Sequence, residues 1–499
     1  MSEPIEAGLL DRAANGAGDH LYNEMLSAPG KPRPGYGPLL RRVGRLETAS
    51  WKKRHEQAQR AFRNLGITFT VYQEERGVEK IFPFDLLPRV IQAGTWLHIE
   101  RGLRQRVQAL NHFLADVYGE RRILGHNHLL RDIVLSSGQF RRELCGFLVA
   151  RDIRCHIAGI DLVRDERGVF HVLEDNIRTP SGVSYVLANR QILKRVFPEL
   201  FNGYRVRPVE SYCHQLLINL RWLAQPRVED PTVVILSPGI YNSAYFEHLY
   251  LAKQMGVELV EGSDMVVDND RVFMRTTEGL RQVHVVYRRV DDDFIDPVFG
   301  RRDSILGVAG LVNACRAGGV AVANAFGNGV ADDKAVYAFV PEMIRYYLGE
   351  EPTLPNVPTF LCSDEKQRNH VLAHLPDMVV KKVAESGGYG MLIGPAASTE
   401  QLELFRRRIL AHPRDYIGQP VVPLSVLPAF DGQTLVPRHQ DLRPFVLSGE
   451  EITVIPGGLT RVALRDGSLV VNSSQGGGSR DTWVLAAPGQ ETSDGPDDA

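Results

Sequence analysis

Apolar residues recur along this chain at two spacings, and the switches between them mark out its elements. Trp51, Ala58, Ala61, Phe62 and Leu65 share one face of a charged helix that Gly66 ends, and Ile67 to Tyr72 follows as a strand. Ile99, Leu103, Val107, Leu110, Leu114 and Val117 predict an amphipathic helix before Gly119. From His156 to Val163 the period drops to two, Asp165-Glu166-Arg167-Gly168 turns the chain, and Val169 to Asn176 returns as the second strand of a hairpin. Further on, Thr232 to Leu236 reads as a buried strand and Ser237-Pro238-Gly239 as a tight loop. Ser243 to Met255 then reads as a helix with Tyr245, Leu249 and Ala252 inward, and Val257 to Val260 as the next strand. That is a βαβ unit, and it implies a parallel α/β sheet. Val283 to Tyr287 predicts another strand, and Ala321 to Ala325 leads through Phe326-Gly327-Asn328-Gly329 to Asp332-Asp333-Lys334. Val336, Phe339, Val340, Met343, Ile344 and Tyr347 continue as one helical face that Pro341 kinks or divides.

Between these blocks lie stretches with neither period. The Gly- and Pro-rich segment before Leu40 is expected to wrap a domain without packing into one. A composition shift from Gln225 to Pro231 predicts a domain boundary, and the acidic, Pro/Gly-rich tail after Val484 predicts disorder.

Composition narrows the classes. The 499 residues allow two or three domains, and 58 Lys plus Arg against 60 Asp plus Glu give a formal charge of -2. Such a balance does not describe a general nucleic-acid binder, and Arg406-Arg407-Arg408 reads as the solvated side of a helix. No long uncharged apolar run is present, which argues against membrane insertion. The five cysteines form no Cys-x-x-Cys pair, as suits the cytoplasm.

The candidate chemistry is dispersed. Val379-Val380-Lys381-Lys382-Val383-Ala384-Glu385-Ser386-Gly387-Gly388-Tyr389-Gly390 is an apolar strand that carries a lysine into a glycine turn, and Met391-Leu392-Ile393 leaves it. Glycine lets backbone N–H groups approach an anion, and the lysine can neutralise a phosphate beneath them. An ordinary hairpin turn accounts for the stretch equally well on its own. At the end of the earlier hairpin, Glu174 and Asn176 share a strand face and Asp175 takes the other. A carboxylate and an amide oxygen there suit Mg²⁺, although acidic residues also end many surface strands. Lys334 in a first helical turn opposes the helix dipole unless an anion is near. Arg288 and Arg289 follow a strand end, where an arginine suits a substrate carboxylate or belongs to a solvated charge run with Asp291, Asp292 and Asp293. Asp415 to Pro420 is a strand whose backbone, around Gln419, could serve an adenine edge. Asp441 and Arg443 alternate onto one strand face as a salt bridge or an active pair.

Together, Leu173-Glu174-Asp175-Asn176-Ile177-Arg178-Thr179-Pro180-Ser181-Gly182, Gly329-Val330-Ala331-Asp332-Asp333-Lys334, Glu385 to Met391, Asp441-Leu442-Arg443-Pro444-Phe445 and Asn472-Ser473-Ser474-Gln475-Gly476-Gly477-Gly478 resemble the circularly permuted ATP-grasp family. That family is related to glutathionylspermidine synthase and eukaryotic-type glutathione synthetase. The resemblance implies an α/β (α+β) ATP-grasp fold in which the metal-binding strand precedes the phosphate lysines. It implies an N-terminal extension and helix over 1–82, a part with the permuted metal-binding segment over 83–225, and an α/β substrate domain over 226–328. An ATP-grasp domain over 329–485 and a disordered tail over 486–499 complete it. It further implies that Lys334, Lys381, Ser386, Gly387, Gly388, Tyr389, Gly390 and Gln419 bind ATP, and that Glu174, Asn176 and Glu385 hold Mg²⁺. Arg289, Arg443 and Arg461 are the implied catalytic arginines, with Arg289 meeting the acceptor carboxylate. Lys382 stands where related sequences often have proline, so register decides between Lys381 and Lys382. No cysteine–histidine amidase segment accompanies the ligase-like part. The expected activity is ATP-dependent joining of a small-molecule carboxylate to an amine through an acylphosphate. A phosphotransferase and a non-catalytic nucleotide-binding scaffold are the alternatives, and alpha-E or transglutaminase-like proteins are implied partners.

Overall fold

The computed structural model describes residues 21–71, 78–385, 390–431, 433–464, 468, 471 and 477–488. The segment before Leu40 does not merely wrap the surface, because Met25, Leu26, Tyr36 and Leu39 are buried and Glu24 ion-pairs with Arg89. Its anchors are spaced irregularly between Pro and Gly, so they carry no period, yet each finds its own place: the Val90 N–H donates to the Tyr36 hydroxyl at 2.9 Å. Helices α1 (Gly37–Val43) and α2 (Thr48–Asn64) follow, the latter burying Trp51, Ala58 and Phe62. Strand β1 (Phe84–Ile91) leads to α3 (Ala93–Tyr118), which buries all six of the residues that predicted it, together with Arg106.

The predicted hairpin is β2 (Ile157–Arg164) and β3 (Phe170–Asn176), with Asp161 opposite Glu174 and Gly159 opposite Asn176. Asp175 turns to the other side and takes Nε and Nη2 of Arg106 at 2.6 and 2.7 Å. Beyond it, α4 (Val183–Val196) and α5 (Tyr212–Trp222) lead to the parallel sheet.

That sheet contains β4 (Val233–Leu236), then α6 (Tyr245–Met255) and β5 (Glu258–Val260) as the anticipated βαβ unit. An antiparallel meander, β6 (Met265–Asp268), β7 (Arg271–Thr276) and β8 (Gly279–Val283), intervenes before β9 (Val285–Arg288) and β10 (Ala321–Ala323). The sheet order is β10-β9-β4-β5. The strand expected over Val283 to Tyr287 is therefore divided at His284 between two sheets. On α6 the expected inward face is rotated: Leu249 is exposed, and Glu247, His248, Leu251, Ala252 and Met255 are buried. The helix turns two polar residues inward because they have partners there, which a hydrophobic period cannot register.

Pro341 divides the next helix, giving α7 (Lys334–Tyr337) and α8 (Val340–Leu348). Strand β11 (Phe360–Leu361), helix α9 (Glu365–Ala373), strands β12 (Met378–Lys382) and β13 (Leu392–Ile393), helix α10 (Thr399–Ala411) and strand β14 (Tyr416–Pro420) form a second α/β layer. Its antiparallel sheet runs β11-β14-β12-β13, so the expected glycine hairpin is formed by β12 and β13. Arg407 and Arg408 lie on the solvent side of α10, as predicted, whereas Arg406 is half-buried and donates to Leu372 O at 3.0 Å. Strands β15 (Phe445–Ser448) and β16 (Ile452–Val454) extend the first hairpin into a sheet ordered β16-β15-β2-β3. Finally β17 (Thr460–Val462) and β18 (Gly478–Val484) pair with each other, and β18 runs parallel to β1. Residues Asn472 to Gly476 of the triple-glycine loop and the tail from Gly489 lie outside the described residues.

Candidate active site

Strand alternation on β12 settles which lysine faces inward. Lys381 is half-buried against β14 and donates from Nζ to Gln419 Oε1 at 2.7 Å, while Gln419 Nε2 donates to Thr359 Oγ1 at 2.9 Å. Lys382 faces the other way and pairs with Glu385. Burial pushes the Lys381 ammonium down to about 8; Glu174 opposes the fall and the nearby charge of Lys334 adds to it.

Lys334 is the second cation of this cluster. Asp333 caps α7, accepting from Ala335 N at 2.8 Å through one oxygen and from Arg414 Nη2 at 2.7 Å through the other. The Lys334 N–H donates to Val383 O at 3.1 Å, which ties the helix start to the exit of β12. Its Nζ lies 2.8 Å from Glu174 Oε1 and donates to the Glu385 carbonyl. The misfit of a lysine at a helix start is thus met by Glu174, the carboxylate expected to hold a metal.

Asn176 stands on the same strand face as Glu174, and its Nδ2 is buried without a partner among the described residues. The third expected metal residue, Glu385, has its carboxylate on Lys382. Gly390, in a left-handed turn with φ +66°, leaves room that a Cβ would take from Glu385 Oε2 at 2.6 Å. Ser386, Gly387, Gly388 and Tyr389 lie outside the described residues. Gln419 meets Lys381 through its side chain, and its strand β14 lies between β11 and β12.

The arginines are held by acids. Asp161, opposite Glu174 in the hairpin, takes Arg443 Nη2 at 2.8 Å and Arg461 Nη2 at 2.7 Å. Burial alone would raise the Asp161 carboxyl, but these two guanidiniums outweigh it and hold it well below the usual range. Asp441 and Arg443 do not pair: Arg461 Nε donates to Asp441 at 2.9 Å, and Arg443 reaches across to Asp161. Each carboxylate finds its guanidinium on a neighbouring segment, which sequence distance conceals. Arg288 and Asp292 are a buried pair at 2.7 Å, whereas Asp291 is exposed and Asp293 half-buried, so only part of the charge run is solvated. Arg289, also buried, donates to Pro180 O at 2.8 Å and to Ser181 Oγ, and pairs with Glu247 at 3.2 Å.

Four functional candidates escaped the sequence reading: Asp161, Glu247, Asn324 and Asp332. Asp161 carried a signal, a lone acid within the apolar run Ile157 to Val163. Asp332 binds the Ile177 N–H at 2.7 Å and Arg178 Nε at 2.7 Å, and Asn324 donates to the carbonyls of Ile177 and Arg178 at 2.7 and 3.1 Å. Nothing in their local pattern distinguishes either from a cap or a turn residue.

An acid and an amide on one sheet and a half-buried lysine on another are therefore joined by a helix-borne lysine, which pairs with Glu174 and is tied by its N–H to the exit of the Lys381 strand. This arrangement is that of an ATP-grasp protein. Residues 88–463 match the family described as circularly permuted ATP-grasp type 2, and the chain belongs to it. An uncharacterised protein of Synechocystis is 55% identical over 467 residues, covering 93% of this chain and 97% of that one. A Frankia alni protein with a provisional glutamate–cysteine ligase name is 44% identical over 468 residues, covering 93% of this chain but 54% of its own. The apo structure of a glutathione synthetase-like effector from Globodera pallida shares the fold, with a TM-score of 0.59, 11% identity, and coverage of 88% of this chain and 98% of that one. Among the described residues no helix is long and apolar enough to cross a membrane.

Proposed function

We propose that this protein is an ATP-dependent carboxylate–amine ligase that works through an acylphosphate. The observation that carries the reading is the convergence of Glu174, Lys334 and Lys381, from three separate elements, on one polar cluster. Lys334 and Lys381 are suited to neutralise a triphosphate, and Arg443 and Arg461 to stabilise charge on the phosphoryl group in flight. The donor set fits Mg²⁺. Glu174 and Asn176 would hold it through their side-chain oxygens, the unpartnered Nδ2 of Asn176 is a donor that a phosphate oxygen beside the metal would satisfy, and the remaining positions suit phosphate oxygens and water. When bound, Mg²⁺ supplies charge neutralisation along the triphosphate. Glu385 would join these ligands only after leaving Lys382. The Frankia relatives' name points to the same bond class, but this chain spans 54% and 53% of them, so the substrates in that name are not transferred.

Calorimetry with Mg-ATP tests the cradle: the wild type should bind, and Lys381→Met should bind roughly 10- to 100-fold more weakly, the worth of a charge-assisted hydrogen bond. Oxygen-18 then tests the chemistry. With pooled small acids labelled in the carboxylate, label should pass into released phosphate; a phosphorylated hydroxyl acceptor instead means a phosphotransferase, and binding without turnover means a scaffold.

A further inference from the structure

The C-terminal edge of a parallel α/β sheet is where such sheets usually take their ligands. Here the residues just past β4, β9 and β10 are Ser237, Arg289 and Asn324, and the last two bind a piece of this chain: the connection from Ile177 to Ser184, between the Glu174–Asn176 strand end and α4. That connection satisfies its backbone mostly through side chains from elsewhere. Asn324 serves the carbonyls of Ile177 and Arg178, Arg289 that of Pro180, and Arg443 that of Ser181 at 3.2 Å. The residue preceding α4 is Gly182, which has no side chain with which to cap it. Glu247 of α6 does so instead: one oxygen accepts from Gly182 N at 2.7 Å, Ser184 N at 3.1 Å and Ser184 Oγ at 2.9 Å, and the other meets Arg289. Both Glu247 and Arg289 are buried, so the guanidinium charge is already neutralised inside the protein.

We propose that Glu247 is a positioning residue, capping α4 and, through Arg289, pinning the loop that follows Asn176, so that the metal-binding strand end is braced against the parallel sheet. On this reading, which rests on the proposed Mg-ATP site, Arg289 is part of the brace and does not receive a substrate carboxylate.

The test compares wild type, Glu247→Gln, Ser184→Ala and Arg289→Lys, using hydrogen exchange over residues 177–186, melting temperature, and calorimetric ATP affinity with Mg²⁺ and with EDTA. Glu247→Gln should speed exchange in that segment and shrink the gain in ATP affinity on adding Mg²⁺ by about tenfold, a metal-specific loss that general destabilisation does not produce. Ser184→Ala, which removes a single hydrogen bond, should move both readouts the same way by less, and it carries the test if Glu247→Gln fails to fold. Folded variants at Glu247 and Ser184 with wild-type exchange and wild-type Mg²⁺ gain overturn the proposal, as does Arg289→Lys leaving both unchanged. A wild type that binds no Mg-ATP defeats the ligase reading, while the exchange arm still decides whether Glu247 holds the loop.

Discussion

Lys381 has Gln419 as its hydrogen-bond partner and Glu174 as its opposing charge, and burial brings its ammonium from 10.5 down to about 8. A triphosphate needs the charged form. Affinity for Mg-ATP should therefore be level below about pH 8 and fall above it, with a proton taken up on binding in that upper range. Calorimetry across pH in two buffers of different ionisation enthalpy reads both, and Lys381→Arg should remove the inflection, since arginine stays charged. The same depression acts on folding. Its sign is that of a lysine lowered in the folded state: the charged form weakens the fold below about 8, and the penalty lifts as pH climbs from there toward 10.5. Lys381→Met should accordingly raise the melting temperature at pH 7 while weakening nucleotide binding. Glu174→Gln keeps the shape but leaves Lys334 without its carboxylate; ATP binding in EDTA should survive while the Mg²⁺ gain is lost, as titration with and without metal would show.

At the scale of elements, α7 is a single short turn, and its direction depends on Asp333. Asp333→Ala removes a helix cap worth about 1 kcal/mol and also the partner of Arg414. A lowered melting temperature together with weaker Mg-ATP binding is expected, because Lys334 leaves from the next residue. Elements of this kind were legible in the sequence: the β2–β3 hairpin, α3 and the split at Pro341 each rest on a period or a breaker. The meander β6–β8 was not, since its burial alternates over runs too short and too polar to stand out. Nor was the true face of α6, where Glu247 and His248 point inward and Leu249 outward, because polar burial is decided by partners far along the chain. The same holds for the site: the lysines and the Glu174–Asn176 pair followed from local pattern, whereas Asp161, Asn324 and Asp332 are meaningful only through what they touch.

Across the whole molecule, the leading segment is fastened by the buried pair of Glu24 and Arg89, with Ser425 Oγ donating to Glu24 at 2.6 Å. Leaving Arg89 buried without its carboxylate should cost about 3–5 kcal/mol, so Glu24→Gln should unfold at markedly lower urea at pH 7. Burial would lift the Glu24 carboxyl, but Arg89 and Arg164 bring it from 4.5 down to about 2. That stabilisation is complete above about 4.5 and is lost as pH falls toward 2, so the gap between variant and wild type should close in acid. A last consequence concerns synthesis. Among the described residues strand β1 at Phe84–Ile91 finds its parallel partner in Gly478–Val484, so during translation the early strand leaves the ribosome long before the late one exists. A chain truncated at residue 477 keeps that flank open to aggregation, and one ending at 488 can close it; released from the ribosome, the two lengths should differ sharply in protease resistance around β1.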